Sequence, residues 1–254
     1  MFTEEEKEDF LAIEPQAEKW FRPWIGSHEF INRYQRYCLW LGNCPPSELK
    51  NMPEARKRIE AVRQYRLASK SPQTIKLAER PRRFHVENMP NTNFVVIPEV
   101  SSERRKYIPI GFLPPDILCS NLVKIMPDAK LYHFGILTSD VHMAWVRAVC
   151  GRLESRYRYS KDIVYNNFPW PNPTENQISS IEIAAQTVLD ARTLYPTESF
   201  ANLYDPDFMP DELQKAHNQL DKAVKVVYGY KGAMSEAEIV ADLMLRYKNL
   251  IDNA

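Results

Sequence analysis

The chain has 254 residues, 44% hydrophobic and 11% aromatic, with 33 basic and 33 acidic side chains, a balance that can fill real cores and excludes a disordered polyelectrolyte. No run approaches the roughly 18 apolar residues of a membrane span, and the start MFTEEEKEDF is acidic where a signal peptide is basic and then apolar, so a cytoplasmic protein with no membrane partner is expected. The zero net charge hides a division: residues 50–83 hold 11 basic and 3 acidic groups, whereas residues 174–254 hold 7 and 13. A basic middle between acidic ends attracts a polyanion, although a solvated basic helix gives the same count.

In chain order, Thr3 with Glu6 fits a capping box for a first helix that Pro15 ends. The aromatic stretch FRPWIGSHEFINRYQRYCLWL follows, with Phe30, Tyr37 and Trp40 expected in a core. Pro53 opens a helix to about Ser69, with Ile59, Val62 and Leu67 as its apolar side and Arg56, Lys57, Arg58, Arg63 and Arg66 as a basic flank suited to phosphates. A short helical piece spans about Thr74 to Glu79. From Phe84 to about Ser139 the runs NFVVIPEV, KYIPIGFL, LVKIMP and KLYHFGILTS read as short strands of a small irregular sheet.

A helix over Asp140–Val149 leads into Gly151, and after Asn172 the pattern is helical. Thr174 with Gln177 and Ser235 with Glu238 cap two of the helices, and a third carries Leu213, Ala216 and Leu220. The expected class is α+β: a domain over residues 1–171 with a small irregular sheet and flanking helices, then an all-α domain over 172–254.

Much catalytic chemistry is missing. Seven glycines form no G-x-G, and Asn167-Phe168-Pro169-Trp170 has the letters of an adenine methyltransferase strip in the wrong order, so no catalytic or cofactor residue is assigned. Cys38, Cys44, Cys119 and Cys150 form no C-x-x-C, and the five histidines lack metal spacing, so no metal site is assigned. Asp116, Asp128 and Lys130 superficially match a metal-dependent nuclease, but both aspartates also read as turn residues.

The most informative stretch is GRLESRYRYSKDIVYNNFPWP. Its two-residue alternation puts Glu154, Arg156 and Arg158 on one strand face, and Ser155, Tyr157 and Tyr159 on the other. A carboxylate accepts from cytosine N4 and a guanidinium forks onto guanine O6 and N7, so Glu-x-Arg suits one C·G pair in the major groove. On spacing alone, a surface ion pair between strand neighbours is the commoner reading.

The motifs GSHEFINRYQRYCLWL, RLASKSPQT, IPEVSSERRKYIPIGF, LYHFGILTSDVHMAWVRAVCGRL, RYRYSKDIVYNNFPWP, LDARTLYP and ANLYDPDFMPDELQKAHNQLDKAV occur in order over most of the chain. In them the chain resembles the C-terminal part of MmeI-like enzymes, single-chain restriction-modification proteins and related DNA adenine methyltransferases. The resemblance implies a target-recognition domain followed by a helical C-terminal domain, with double-stranded DNA and an upstream methyltransferase domain of the same polypeptide as partners. It places Met1 after that domain and after any nuclease, in a piece of a longer protein. It implies no cofactor in this chain and S-adenosylmethionine in the parent.

The family associates Glu-x-Arg after GRL with C just beyond the methylated adenine, which favours base reading by Glu154 and Arg156. Arg158 matches a position implicated in the neighbouring base, with a partner near Leu122 to Lys124. Ser102, Arg104, Arg105 and Lys106, with Arg63 and Arg66, are the expected backbone contacts, Glu103 and the arginine pair being equally suited to an internal network. Two other functions stay open: a metal-dependent nuclease using Asp116, Asp128 and Lys130, and an assembly module whose acidic helices bind protein.

Overall fold

Local signals set most of the element boundaries. A computed structural model describes residues 1–253, divided into two compact units that are not consecutive stretches of chain. The first comprises Met1–Ile25, Gln35–Asn91 and Pro115–Ser120. Its opening helix, Glu4–Ile13, carries the expected capping box, with Glu6 N donating to Thr3 at 3.2 Å and Thr3 N to Glu6 at 2.8 Å. Phe10 joins Phe2 and Phe21 in an edge-to-face cluster with centroids 4.9–5.7 Å apart. Strand Phe21–Ile25 runs antiparallel to Tyr37–Leu39 and parallel to Leu118–Cys119. Trp40 is buried nearby and Tyr37 half-buried.

Helix Pro53–Leu67 begins without a local cap. The carboxylate of Glu14, 1% exposed, substitutes for one: it accepts from Glu54 N at 2.8 Å and Ala55 N at 3.0 Å, satisfying two first-turn donors that the helix cannot. The expected apolar side needs correction in part. Ile59 packs partly buried against the core beside the buried Ala55, but Val62 and Leu67 are 37% and 45% exposed.

The second unit comprises Gly26–Tyr34, Thr92–Pro114 and the chain from Asn121 onward. All five residues of strand Phe94–Pro98 are buried, as a continuous apolar run requires, between antiparallel strands Gly111–Leu113 and Val123–Pro127. A second sheet joins Val100–Ser101 to Arg156–Arg158, and that strand to Gly151–Leu153. Helix Asp140–Val149 has the expected bounds, capped by the Ser139 hydroxyl. Helices Glu175–Thr193 and Glu236–Asp252 carry the expected capping boxes, and Asp211–Tyr228 lies between them. The class is the expected α+β mixture, with the helices after residue 172 in the same compact unit as strand Phe94–Pro98.

One expected strand is a helix. Within KLYHFGILTS, Leu131–Leu137 is helical, because Gly135 sits against the Glu175–Thr193 helix: an added Cβ would lie 2.6 Å from Ile181. The aromatic and β-branched residues that suggest a strand are held in a helix by this close approach, and a local propensity reading does not see it. Around it the core includes Tyr107, Phe134, Trp145, Tyr159 and Phe168. Among the described residues no helix is long and apolar enough to cross a membrane.

Candidate nucleic-acid interface

The stretch expected to be one strand is a hairpin. Gly151 pairs with Arg158, Arg152 with Tyr157 and Leu153 with Arg156, so the chain reverses at Glu154-Ser155 and Glu154 sits at the tip rather than on a strand face shared with the arginines. Glu154 has φ 57°, a left-handed conformation that costs a non-glycine residue about 1–2 kcal/mol. Ser155, expected on the tyrosine face, is an exposed residue of the same turn, but the alternation from Arg156 to Tyr159 holds. Tyr157 and Tyr159 are 2% and 1% exposed, and the Tyr159 hydroxyl shares a hydrogen bond of 3.1 Å with His142 Nε2. Burial pushes the His142 pKa down to about 3, so this anchor is neutral. Two buried tyrosines therefore fix the strand that carries Arg156 and Arg158 outward.

At the tip, Arg156 Nη2 donates to Glu154 Oε2 at 2.6 Å, with the two side chains 45% and 78% exposed. So exposed a pair contributes about 0–1 kcal/mol, little enough for its groups to be exchanged for contacts to bases. The ion pair thus leaves both groups exposed at the hairpin tip. Arg152 stacks on Tyr157 at 4.3 Å and donates to Ser155 O at 3.2 Å, bracing the turn. The Glu103 carboxyl is held below the usual carboxylate range by its own backbone N–H and the Ser155 hydroxyl, with Arg152 and Arg156 nearby.

Arg158 donates through Nε to Glu99 Oε1 at 3.3 Å, while Lys124 Nζ donates to Glu99 Oε2 at 2.7 Å. Arg158 and the Leu122–Lys124 stretch are thus joined through a third residue that sequence reasoning missed. Glu99 lies between strands Phe94–Pro98 and Val100–Ser101, its amide donating to Leu122 O at 3.0 Å and its carbonyl accepting from Tyr159 N at 2.7 Å. It therefore links the two sheets as well as the two cations. Nothing local marks it, since its partners are 25 and 59 positions away.

The remaining expected contacts divide. Ser102, Arg104, Arg105 and Lys106 follow strand Val100–Ser101 in the second unit. Ser102 Oγ accepts from Arg104 N at 3.3 Å, Arg104 pairs with Asp207, and Arg105 Nη1 reaches Ser101 Oγ at 3.4 Å. Lys106 lies 4.9 Å over the Tyr107 ring. Arg63 and Arg66 belong to the first unit. Arg63 is half exposed and 3.8 Å from Glu60, but Arg66 donates to the carbonyls of Leu77, Arg80 and Arg83 at 2.7–2.9 Å. Its guanidinium pins the chain after its own helix with three of its five donors.

Asp116 falls in the first unit and Asp128 and Lys130 in the second; Asp128 occupies a left-handed turn, φ 55°, and accepts from the Thr92 hydroxyl at 2.8 Å. Among the described residues no three His, Cys, Asp or Glu side chains are grouped to hold a metal. Burial pushes the thiols of Cys38 and Cys119 up to about 12, so neither is nucleophilic near neutral pH.

The family described as the MmeI target recognition domain matches residues 1–172, and the MmeI C-terminal domain matches 173–253. The chain belongs to the MmeI family. A solved structure of the Type IIL restriction-modification enzyme MmeI in complex with DNA superposes with a TM-score of 0.97 at 47% identity, over 99% of this chain and 34% of that one. DNA methyltransferase A of Bacillus subtilis (strain 168) is 38% identical over 252 residues, 99% of this chain. The chain spans only 29% of that relative's length. In MmeI terms it is the recognition domain followed by the C-terminal domain, a recognition module with the length of about a third of these relatives.

Proposed function

We propose that this MmeI-type module reads the sequence of double-stranded DNA and presents one adenine to a methyltransferase domain lying upstream in the same polypeptide. The enzyme transfers a methyl group from S-adenosylmethionine to adenine N6 in the cytoplasm, and the cofactor is held by the upstream domain, since this chain offers no glycine loop for it. The observation that carries the reading is the hairpin tip: an exposed acceptor and an exposed bidentate donor, paired at 2.6 Å on a support of buried tyrosines. Glu154 accepts from cytosine N4 while Arg156 forks onto guanine O6 and N7 of the same pair. Arg158, held through Nε, turns its two terminal nitrogens to the neighbouring base pair. Ser102, Arg104, Arg105 and Lys106 then contact the backbone, with Arg104 exchanging Asp207 for phosphate.

The test is a charge swap, Glu154→Lys with Arg156→Asp, in the full-length parent. A bidentate contact discriminates by about 1–3 kcal/mol, so methylation moves from C toward G at one position of the site by roughly one to two orders of magnitude. Unchanged specificity, or activity lost on every sequence while folding is intact, sinks the assignment.

A further inference from the structure

The helix Pro53–Leu67 leaves uncovered a face that its sequence marks as apolar, and that face forms one wall of a groove of about 410 Å³ within the first unit. Val62, Tyr65 and Arg58 of this helix line it together with Arg82 to Phe84, Trp40 and Leu41. The buried Trp40 stacks on Phe84 with centroids 4.9 Å apart and planes at 23°, so aromatic rings form part of the groove wall. Tyr65 is 79% exposed, the highest exposure of any aromatic side chain among the described residues.

The charge is one-sided. Four arginines line the groove, and no carboxylate does among the described residues. Arg66 gives three donors to carbonyls, and Arg83 gives one to Glu87 at 2.8 Å and one to Asn43 at 3.3 Å. The other two keep donors in reserve. Arg58 lies over the rings of Phe2 at 4.3 Å and Phe10 at 5.4 Å, which fixes the guanidinium while its N–H groups make no hydrogen bond among the described residues. Arg82 spends only Nη1, on Cys44 O at 3.0 Å.

An apolar peptide would use the aromatic wall and gain nothing from the arginines. A nucleotide uses both, its base stacking on aromatic faces and its phosphates taking the guanidinium donors. The volume falls within the range of about 300–1,000 Å³ that holds a small ligand or one nucleotide. We propose that this groove binds an unpaired nucleotide of a DNA strand, with the base against Tyr65 and Val62 and the phosphates on Arg58 and Arg82. The inference rests on the reading that the chain acts on DNA. Enzymes that modify a base inside a duplex unstack and unpair it, so an enzyme of this kind creates such nucleotides.

The test uses the 254-residue chain and a fluorescent single-stranded oligonucleotide of about ten nucleotides carrying 2-aminopurine, followed by anisotropy and by 2-aminopurine emission. Two substitutions probe the groove at exposed helix positions that leave the fold alone: Tyr65→Ala, and Val62→Glu, which puts a carboxylate at the mouth. Single-strand affinity should fall about tenfold in the first and further in the second, with the emission change lost. Arg156→Ala with Arg158→Ala should leave single-strand binding intact while removing discrimination among duplexes, so failure of the hairpin reading is seen separately. The groove assignment is overturned by an absence of single-strand binding, by binding that neither groove substitution weakens, or by an acidic amphipathic peptide that displaces the oligonucleotide from the chain.

Discussion

Glu99 and Arg158, 59 positions apart, meet at 3.3 Å, and the second oxygen of the same carboxylate takes Lys124 at 2.7 Å. One half-buried anion thereby orients two cations on the surface that carries the hairpin. It also cancels one of their two charges.

Replacing it releases both effects together. Glu99→Gln should bind random duplex DNA more tightly at low salt, with a steeper fall of log affinity against log salt, because a net positive charge is uncovered at about 0.9 per phosphate engaged. Discrimination at the base pair proposed for Arg158 should fall, since glutamine leaves one neutral acceptor where Arg158 and Lys124 each had a carboxylate oxygen. Anisotropy on matched and mismatched duplexes at several salt concentrations reads both. An unchanged slope together with unchanged discrimination would show that Glu99 does not position Arg158.

The left-handed Glu154 makes function and stability compete at the hairpin tip. Glu154→Gly relieves about 1 kcal/mol of backbone strain against an exposed ion pair worth no more, so the variant should be at least as stable as the parent chain while losing its preference for C. Glu154→Asn, which tolerates the conformation and keeps an oxygen acceptor, should retain part of that preference. Thermal unfolding and duplex discrimination are the measurements; a clear drop in the midpoint for the glycine variant would contradict the strain account.

Glu14 caps a helix from 40 positions away. Glu14→Gln turns an NH2 toward a backbone N–H and loses at least one charge-assisted bond at a site 1% exposed, a cost of about 1–3 kcal/mol. The unfolding midpoint should fall by a few degrees. A change within error would assign the cap to water or to the chain ends instead.

A buried acid joins helix Asp211–Tyr228 to its neighbours. The Tyr107 hydroxyl donates to Asp221 Oδ2 at 2.6 Å and Asp140 N to Oδ1 at 2.8 Å, while Lys225 pairs with Asp140. Burial, reinforced by the charge of Asp140, pushes the Asp221 pKa up to about 6. A carboxyl whose folded pKa exceeds its unfolded value near 4 stabilises the fold most when protonated, and this contribution, on the order of 3 kcal/mol, is lost as pH rises from about 4 to about 6. Asp221→Asn removes the charge and keeps one acceptor: its Oδ1 can take the Asp140 N–H while its NH2 donates to the Tyr107 hydroxyl oxygen, so it should be about as stable as the parent chain near neutrality and should flatten the pH dependence in that window. Urea midpoints across the window check this; parallel curves for the two proteins would refute it.

What could be read in the sequence was whatever depends on near neighbours. The capping pairs Thr3–Glu6, Thr174–Gln177 and Ser235–Glu238 work over three residues, and the Tyr157/Tyr159 alternation over two, so each element follows from its own segment. The proposal for Glu154, Arg156 and Arg158 also starts from short range, because groove chemistry depends on side-chain type and close spacing. Tertiary structure decided the rest. The reversal at Glu154-Ser155, with no glycine there to announce it, is set by pairing with strand Gly151–Leu153 and with Val100–Ser101. The helix in KLYHFGILTS depends on the contact of Gly135 with Ile181, and the carbonyls that take three donors of Arg66 lie 11 to 17 positions on. Glu14 and Glu99 owe their roles to partners tens of positions away. Buried polar groups must find partners wherever the fold supplies them, so short-range patterns set the elements, while long-range satisfaction of charge and hydrogen bonds set which residues hold the hairpin and its neighbours in place.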